Sequence, residues 1–237
     1  MIPIALKKWL GIPHSCKEPS SIFVGLIGGV GDLVSAAPSI AALKRKYPDA
    51  KISFGVGGDI FFNTIKNDPN VDHFETPFFY DVWKKRARRK TYREKYREHD
   101  LVFLLDNGTR DWWKPKKHLL DIYAEKCGVS LKERRPVIYL NDSDFEEAQK
   151  KLNELGISNN EKFLVLSPET RSKKKMKEWP YDRFLSLIQK IRQNHDFKIV
   201  TLVSKDNPYN YDGTIPLKGY PLGPSAAMIS RANFYLG

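Results

Sequence analysis

Short apolar runs rich in β-branched and aromatic residues alternate along the chain with segments whose apolar positions recur every three or four residues. The runs at 21–27, 51–57, 101–106, 136–140, 163–167 and 198–203 predict strands. Several are apolar nearly throughout rather than alternating, the pattern of a strand covered on both faces. Between them, Phe145, Ala148, Leu152 and Leu155 step by 3, 4 and 3 and predict a helix over 144–155. Ser143 and Glu146 stand at capping-box spacing before it. Phe184, Leu187, Ile188 and Ile191 predict a second helix, with Pro180 suited to its first turn. Leu119, Leu120, Tyr123 and Cys127 predict a third that Gly128 ends, and a fourth runs from about Pro38 to Tyr47. Strand–helix alternation of this kind predicts an α/β fold with parallel sheets.

Polar stretches at 141–144 and 156–162 flank the helix at 144–155 and place a boundary there. The division expected is an N-terminal extension (1–20), a first Rossmann-like domain (21–143), a linker helix and connection (144–160), and a second domain (161–237). Within the extension, Ile2, Leu6, Trp9 and Leu10 with Lys7 and Lys8 fit either a short interfacial helix or a tail. The final Phe234–Gly237 reads as a strand reaching its C-terminal edge, where open α/β sheets bind ligands. The second domain is therefore expected to be incomplete. No repeat of identical residues is evident, although each half begins with a strand and a loop able to hold a ligand.

Composition narrows the class. With 41% hydrophobic and 12% aromatic residues the chain is neither disordered nor collagen-like. Its longest apolar runs are about five residues, against the roughly 18 of a membrane span. Two cysteines, Cys16 and Cys127, make no disulfide framework, and neither lies at metal-ligand spacing, so a reducing cytoplasm is the expected compartment. The start of the chain lacks the cleavage site of a secretory signal. The net charge of +12 is concentrated: residues 84–97 hold nine basic side chains and one acid, Glu94. This stripe, with Lys84, Lys85, Arg86, Arg88 and Arg89 at its head and aromatic Trp83, Tyr92 and Tyr96 interleaved, suits an anionic glycolipid or membrane surface. A solvated helix face or a loop would look the same. No nucleic-acid-binding signature accompanies it.

Two loops carry candidate chemistry. Gly28-Gly29-Val30-Gly31-Asp32 follows the first strand and precedes a helix. Its glycines allow a tight turn with exposed amides. No Gly-Lys-Ser/Thr follows, and Val34 stands where a dinucleotide fingerprint has its third glycine. Asp32 would repel a phosphate there, which favours it as a general base toward a hydroxyl; on spacing alone, capping the helix is the plainer role. Ser167-Pro168-Glu169-Thr170-Arg171, with Lys173, Lys174, Lys175 and Lys177 behind it, offers a hydroxyl, a guanidinium and ammoniums suited to a diphosphate, or a basic surface loop. His118 reads as structural, Cys127 as core, and His73 and His195 have no partner at ligand or triad spacing.

The order of these segments resembles glycosyltransferase family 9, the ADP-heptose:lipopolysaccharide heptosyltransferases. The matching elements are Gly-Gly-Val-Gly-Asp32-Leu, then Pro38 to Lys44 and Tyr47-Pro48, and Asn67-Asp68-Pro69-Asn70-Val71-Asp72. Leu166-Ser167-Pro168 and Lys177-Glu178-Trp179-Pro180, continuing to Phe184, follow farther on. The resemblance implies a GT-B fold of two Rossmann-like domains, the first taking the acceptor and the second the nucleotide-sugar. It implies inverting transfer of a heptose or related sugar from an ADP-sugar to a lipopolysaccharide-core or similar glycan hydroxyl, with no metal or other cofactor. Asp32 would be the base and Gly29 and Gly31 part of the acceptor loop. Lys177 would face the leaving diphosphate with Ser167, Thr170 and Arg171, and the basic stripe would meet the anionic acceptor on the cytoplasmic face of the inner membrane. The family's Asp-Ser-Gly-x-x-His segment would come just after Gly237, and Ser204-Lys205 replaces a usual glycine, with Asp206 the nearest acid. A truncated form with weak or absent transfer is expected. The rival readings are a nicotinamide-dependent Rossmann enzyme using Asp59, and a non-catalytic protein that binds anionic surfaces.

Overall fold

A computed structural model describes residues 18–76, 96–106, 117–170 and 177–237. The chain divides into two compact units, Met1–Tyr139 and Leu140–Gly237. In the first, β1 (Ser21–Ile27), β2 (Lys51–Gly55), β3 (His73–Glu75) and β4 (Leu101–Asp106) form a parallel sheet in the order β3-β2-β1-β4. Alternate residues of a strand face opposite sides. Ile22, Val24 and Leu26 accordingly join one core with Leu33, Ile40, Leu43, Tyr123 and Cys127. Phe23, between them in sequence, instead stacks on Tyr96 with ring centroids 3.9 Å apart.

Among the described residues, these strands are accompanied by α1 (Val30–Lys46), α2 (Asp59–Ile65) and α3 (Leu119–Cys127). The helix expected from about Pro38 starts at Val30, so Pro38 lies inside it. Proline has no N–H for the carbonyl four residues earlier. That carbonyl, of Val34, accepts the Val137 N–H at 3.0 Å. The same bond accounts for a second departure from expectation. Residues 136–140 form no strand, and the Val137 amide goes to a helix rather than to a ladder. Gly128 ends α3 as expected, in the left-handed conformation at φ 63°.

The second unit contains α4 (Asp142–Glu154), β5 (Phe163–Leu166), α5 (Tyr181–Asn194), β6 (Lys198–Val203), β7 (Ile215–Lys218), α6 (Leu222–Arg231) and β8 (Phe234–Leu236). Its sheet is also parallel, in the order β7-β6-β5-β8. Helices cover both faces. Phe163, Val165 and Val200 pack with Ala148 and Leu152 of α4 and Ala227 and Met228 of α6, while Leu164, Leu166, Ile199 and Val203 pack with Phe184 and Ile188 of α5. α4, expected as a connection, thus supplies core to the second unit, because Ala148 and Leu152 of its stripe are buried against β5 and β6, while Phe145 stays exposed. Its cap is Asn141 rather than Ser143. The Asn141 side chain accepts the Asp144 N–H at 3.0 Å, and the Asp144 carboxylate accepts the Asn141 N–H at 3.1 Å. β7 was not expected, since Pro216 interrupts its short run. It lies at the sheet's edge, where a proline's missing donor is tolerated.

Candidate functional site

The two sheets share one strand order, in which the chain steps outward from a central strand and then returns to its other side. Ligands of open parallel sheets bind beyond the C-terminal strand ends at that reversal. In the first unit the reversal lies between β1 and β4, and in the second between β5 and β8. The loops leaving β1 and β5 are the Gly28–Asp32 and Ser167–Arg171 segments singled out from sequence.

Asp32 sits in the first turn of α1, half-buried. Its Oδ2 accepts the Gly29 N–H at 2.6 Å, and its Oδ1 accepts the hydroxyl of Tyr123 at 3.3 Å. The capping role open to Asp32 from its sequence position is therefore present, and the second bond adds a partner from α3 that spacing could not reveal. The glycine requirement lies one residue earlier than expected. A Cβ on Gly28 would fall 2.4 Å from the Cβ and Oδ2 of Asp32, whereas one on Gly29 would stand 3.7 Å from Oδ2 and one on Gly31 would meet nothing within 4 Å. Gly29 contributes its amide and Gly28 the space.

The Asn67–Asp72 stretch is structural. Asp68 is buried and its Oδ1 accepts the backbone and side-chain N–H of Asn70 at 2.9 and 2.8 Å. Burial pushes its carboxyl above the usual range against the pull of those two bonds. Asp72 accepts the Ile52 N–H at 2.8 Å and the Lys44 ammonium at 3.1 Å, tying the approach to β3 to both β2 and the end of α1.

In the second unit, the Ser167 N–H donates to the Leu236 carbonyl at 2.7 Å, so the loop leaves β5 directly beside β8. The Thr170 amide and hydroxyl both donate to Glu178 Oε1, at 3.3 and 3.4 Å. That contact returns residues 177 and 178 to the β5 loop, with Lys177 exposed next to the acceptor. Glu169 was given no role from sequence, yet its carboxylate is the centre of this edge. It accepts the Ser204 N–H at 2.5 Å, the Ser204 hydroxyl at 3.1 Å and the Asn207 side-chain amide, joining the loops after β5 and β6. Burial and then the Glu169 charge push the nearby Tyr211 hydroxyl up to about 12. An acid in a lysine-rich loop reads as solvated charge, and only the fold brings three donors from 35 or more residues away to it.

Arg171 and the stripe residues Lys84, Lys85, Arg86, Arg88 and Arg89 lie outside the described residues. His118 caps α3 by accepting the Leu120 N–H at 3.3 Å, and His195 stacks on Phe197 at 5.1 Å. His73 is exposed in β3. Cys127 is buried, and burial pushes its thiol up to about 12. Asp59 begins the helix after β2. Among the described residues, no helix is long and apolar enough to cross a membrane. No group of three or more His, Cys, Asp or Glu there is arranged to hold a metal ion.

The family model of glycosyltransferase family 9 (heptosyltransferase) matches residues 77–210. No curated protein is a significant match in sequence. Among solved structures, a family 9 glycosyl transferase from Veillonella parvula superposes with a TM-score of 0.68 at 17% identity, covering 91% of this chain and 75% of that one. The E. coli ADP-heptose LPS heptosyltransferase II gives 0.60 at 13% identity, covering 91% and 78%. The E. coli heptosyltransferase WaaC with ADP gives 0.58 at 15% identity, covering 91% and 80%. These likenesses show the fold, the α/β GT-B architecture with a parallel sheet in each unit.

Proposed function

Because the chain belongs to glycosyltransferase family 9, we propose that this glycosyltransferase moves a heptose or related sugar from an ADP-sugar to a hydroxyl of a lipopolysaccharide core or similar anionic glycan, with inversion. The observation that carries this reading is Asp32. It is a half-buried carboxylate at the strand-order reversal of the first sheet, with each oxygen held by a different donor. In the proposed step one Asp32 oxygen takes the proton of the acceptor hydroxyl while the oxygen of that hydroxyl attacks the donor's anomeric carbon. The bond from that carbon to the diphosphate breaks, and ADP leaves with the electron pair.

Lys177 neutralises the charge that develops on the leaving diphosphate, with Ser167 and Arg171 completing the contact and Thr170 joining it by turning its hydroxyl from Glu178 to the ligand. Glu169 is engaged by Ser204 and Asn207 at the loops after β5 and β6. Two kinds of observation support a nucleotide-diphosphate donor. The E. coli WaaC structures carry ADP and ADP-2-deoxy-2-fluoro heptose, and Thr170 and Lys177 stand on the loop edge where such a ligand binds an open sheet. The run of basic residues at 84–97 supports an anionic acceptor presented at the cytoplasmic face of a membrane. No metal or other cofactor takes part in the proposed step.

The test is ADP release from ADP-heptose, with and without a heptose-deficient lipopolysaccharide core acceptor. Acceptor-dependent release is expected, lowered about 10²–10⁴-fold in Asp32→Asn, the usual span for a general base. Transfer from another sugar nucleotide, with none from ADP-heptose, would overturn the donor assignment. An Asp32→Asn chain as fast as the wild type would overturn the base.

A further inference from the structure

Tyr123 is wholly buried in the core of the first unit, packed with Ile22, Val24 and Leu33, and a phenylalanine would fill that space equally well. Its hydroxyl is the part that apolar packing does not explain. A buried tyrosine hydroxyl needs a polar partner, and this one donates to Oδ1 of Asp32, a residue 91 positions away in sequence. The Gly29 amide holds only Oδ2. With a single donor a carboxylate can still turn about the bonded oxygen, so its second oxygen sweeps an arc. A second donor on the other oxygen fixes the plane. The donor here comes from a helix in the core, not from a surface loop, so its own position is set by packing.

We propose that Tyr123 is a positioning residue for sugar transfer. Its buried hydroxyl orients the Asp32 carboxylate toward the acceptor hydroxyl, while Gly29 anchors the opposite oxygen and Gly28 leaves the room. This rests on the reading of Asp32 as the base. Tyr123 touches no substrate in this role and acts only through Asp32.

The variant is Tyr123→Phe, which removes one oxygen and keeps the ring in the core. The expected result is a kcat about 10-fold lower, the scale on which misorienting a catalytic group slows a reaction, with the KM for ADP-heptose unchanged and the melting temperature lowered by only the few degrees that one lost hydrogen bond costs. A spectroscopic readout stands beside it and needs no turnover: in chains carrying ¹³C-labelled aspartate, the Asp32 Cγ resonance is expected to shift in Tyr123→Phe. A loss of packing would raise KM or lower the melting temperature by much more than that, and either change without the kcat effect overturns the proposal. So does an unmoved Asp32 resonance, or a wild-type kcat in Tyr123→Phe when Asp32→Asn has lost transfer. Retention of full activity by Asp32→Asn is the separate result that removes the base assignment itself, and the positioning role with it.

Discussion

Asp144 stabilises two helices at once, and the cost of removing it can be worked from the structure. It is 8% exposed and closes the capping box of α4 by accepting the Asn141 N–H. It also lies against the first turn of α6, where a Cβ on Gly223 would come within 2.2 Å of its Oδ1. α6 has no side-chain cap and no acid in its own first turn, so the Asp144 carboxylate is the negative charge at its positive end. Losing a capping side chain costs about 0.5–2 kcal/mol, and losing a charge at a helix terminus about 0.3–1 kcal/mol. Asp144→Ala should therefore cost about 1–2 kcal/mol. For a unit of roughly 100 residues, that is a fall of about 5–15 °C in its melting transition. Gly223→Ala should cost about 1–3 kcal/mol through overpacking, even though alanine is the better helix former. The decisive measurement is the double variant by urea denaturation followed by circular dichroism. With the carboxylate gone, the alanine at 223 has nothing to strike and its penalty should vanish. If the two single costs simply add, Asp144 does not occupy the space beside Gly223 and the reasoning fails.

The loop before α1 predicts a sharp contrast between neighbouring glycines. Gly28→Ala, whose Cβ would meet Asp32 at 2.4 Å, should displace that carboxylate and lower transfer at least 10-fold, whereas Gly29→Ala, with 3.7 Å of room to Oδ2, should stay within a few-fold of wild type. Equal losses in the acceptor-dependent ADP-release assay would refute the steric account. Asp72 predicts a dependence on acidity. Burial works to raise its pKa, but the Ile52 amide and the Lys44 ammonium outweigh it and hold the carboxyl below its ordinary value. The stabilisation is then fully present above the unfolded value of about 3.9 and is lost as pH falls through the lower folded value. Denaturation midpoints measured from pH 6 down to pH 2.5 should fall less steeply for Asp72→Asn than for wild type, and parallel curves would count against the tie.

The elements most legible in sequence were those whose signal is local. β1, β4 and β6 match the apolar runs residue for residue because their central residues, such as Ile22–Leu26, Leu101–Phe103 and Ile199–Thr201, are buried. Errors arose where a distant partner overrides the local pattern. Pro38 reads as the start of a helix, yet it sits mid-helix because Val137 supplies a bond that its own missing amide leaves open. The Val137 segment reads as a strand for the same reason reversed: its β-branched residues fit a sheet, but its amide is used elsewhere. Ser143 and Glu146 have capping-box spacing, yet Asn141 and Asp144 carry it out, and spacing alone does not choose between overlapping boxes. That Asp32 and the 167–170 loop directly follow strands was legible from glycine and hydroxyl placement. Tyr123, Glu169 and Glu178 were not, since each works through a hydrogen bond closed only by the fold.

The two units place a carboxylate in equivalent loops and use it differently, and the difference bears on which one can accept a proton. A carboxylate has about four lone-pair sites. Glu169 accepts from three donors, two of them on Ser204 and one on Asn207, so it serves as a fastening between loops. Asp32 accepts from two, one on each oxygen, and stays partly open to solvent. Each of its oxygens keeps acceptor capacity in a fixed plane, which is what a base toward a sugar hydroxyl requires. The proposed division of labour matches this contrast: the acid with fewer donors, Asp32, takes the proton, while the acid with more, Glu169, fastens the loop proposed to meet the diphosphate.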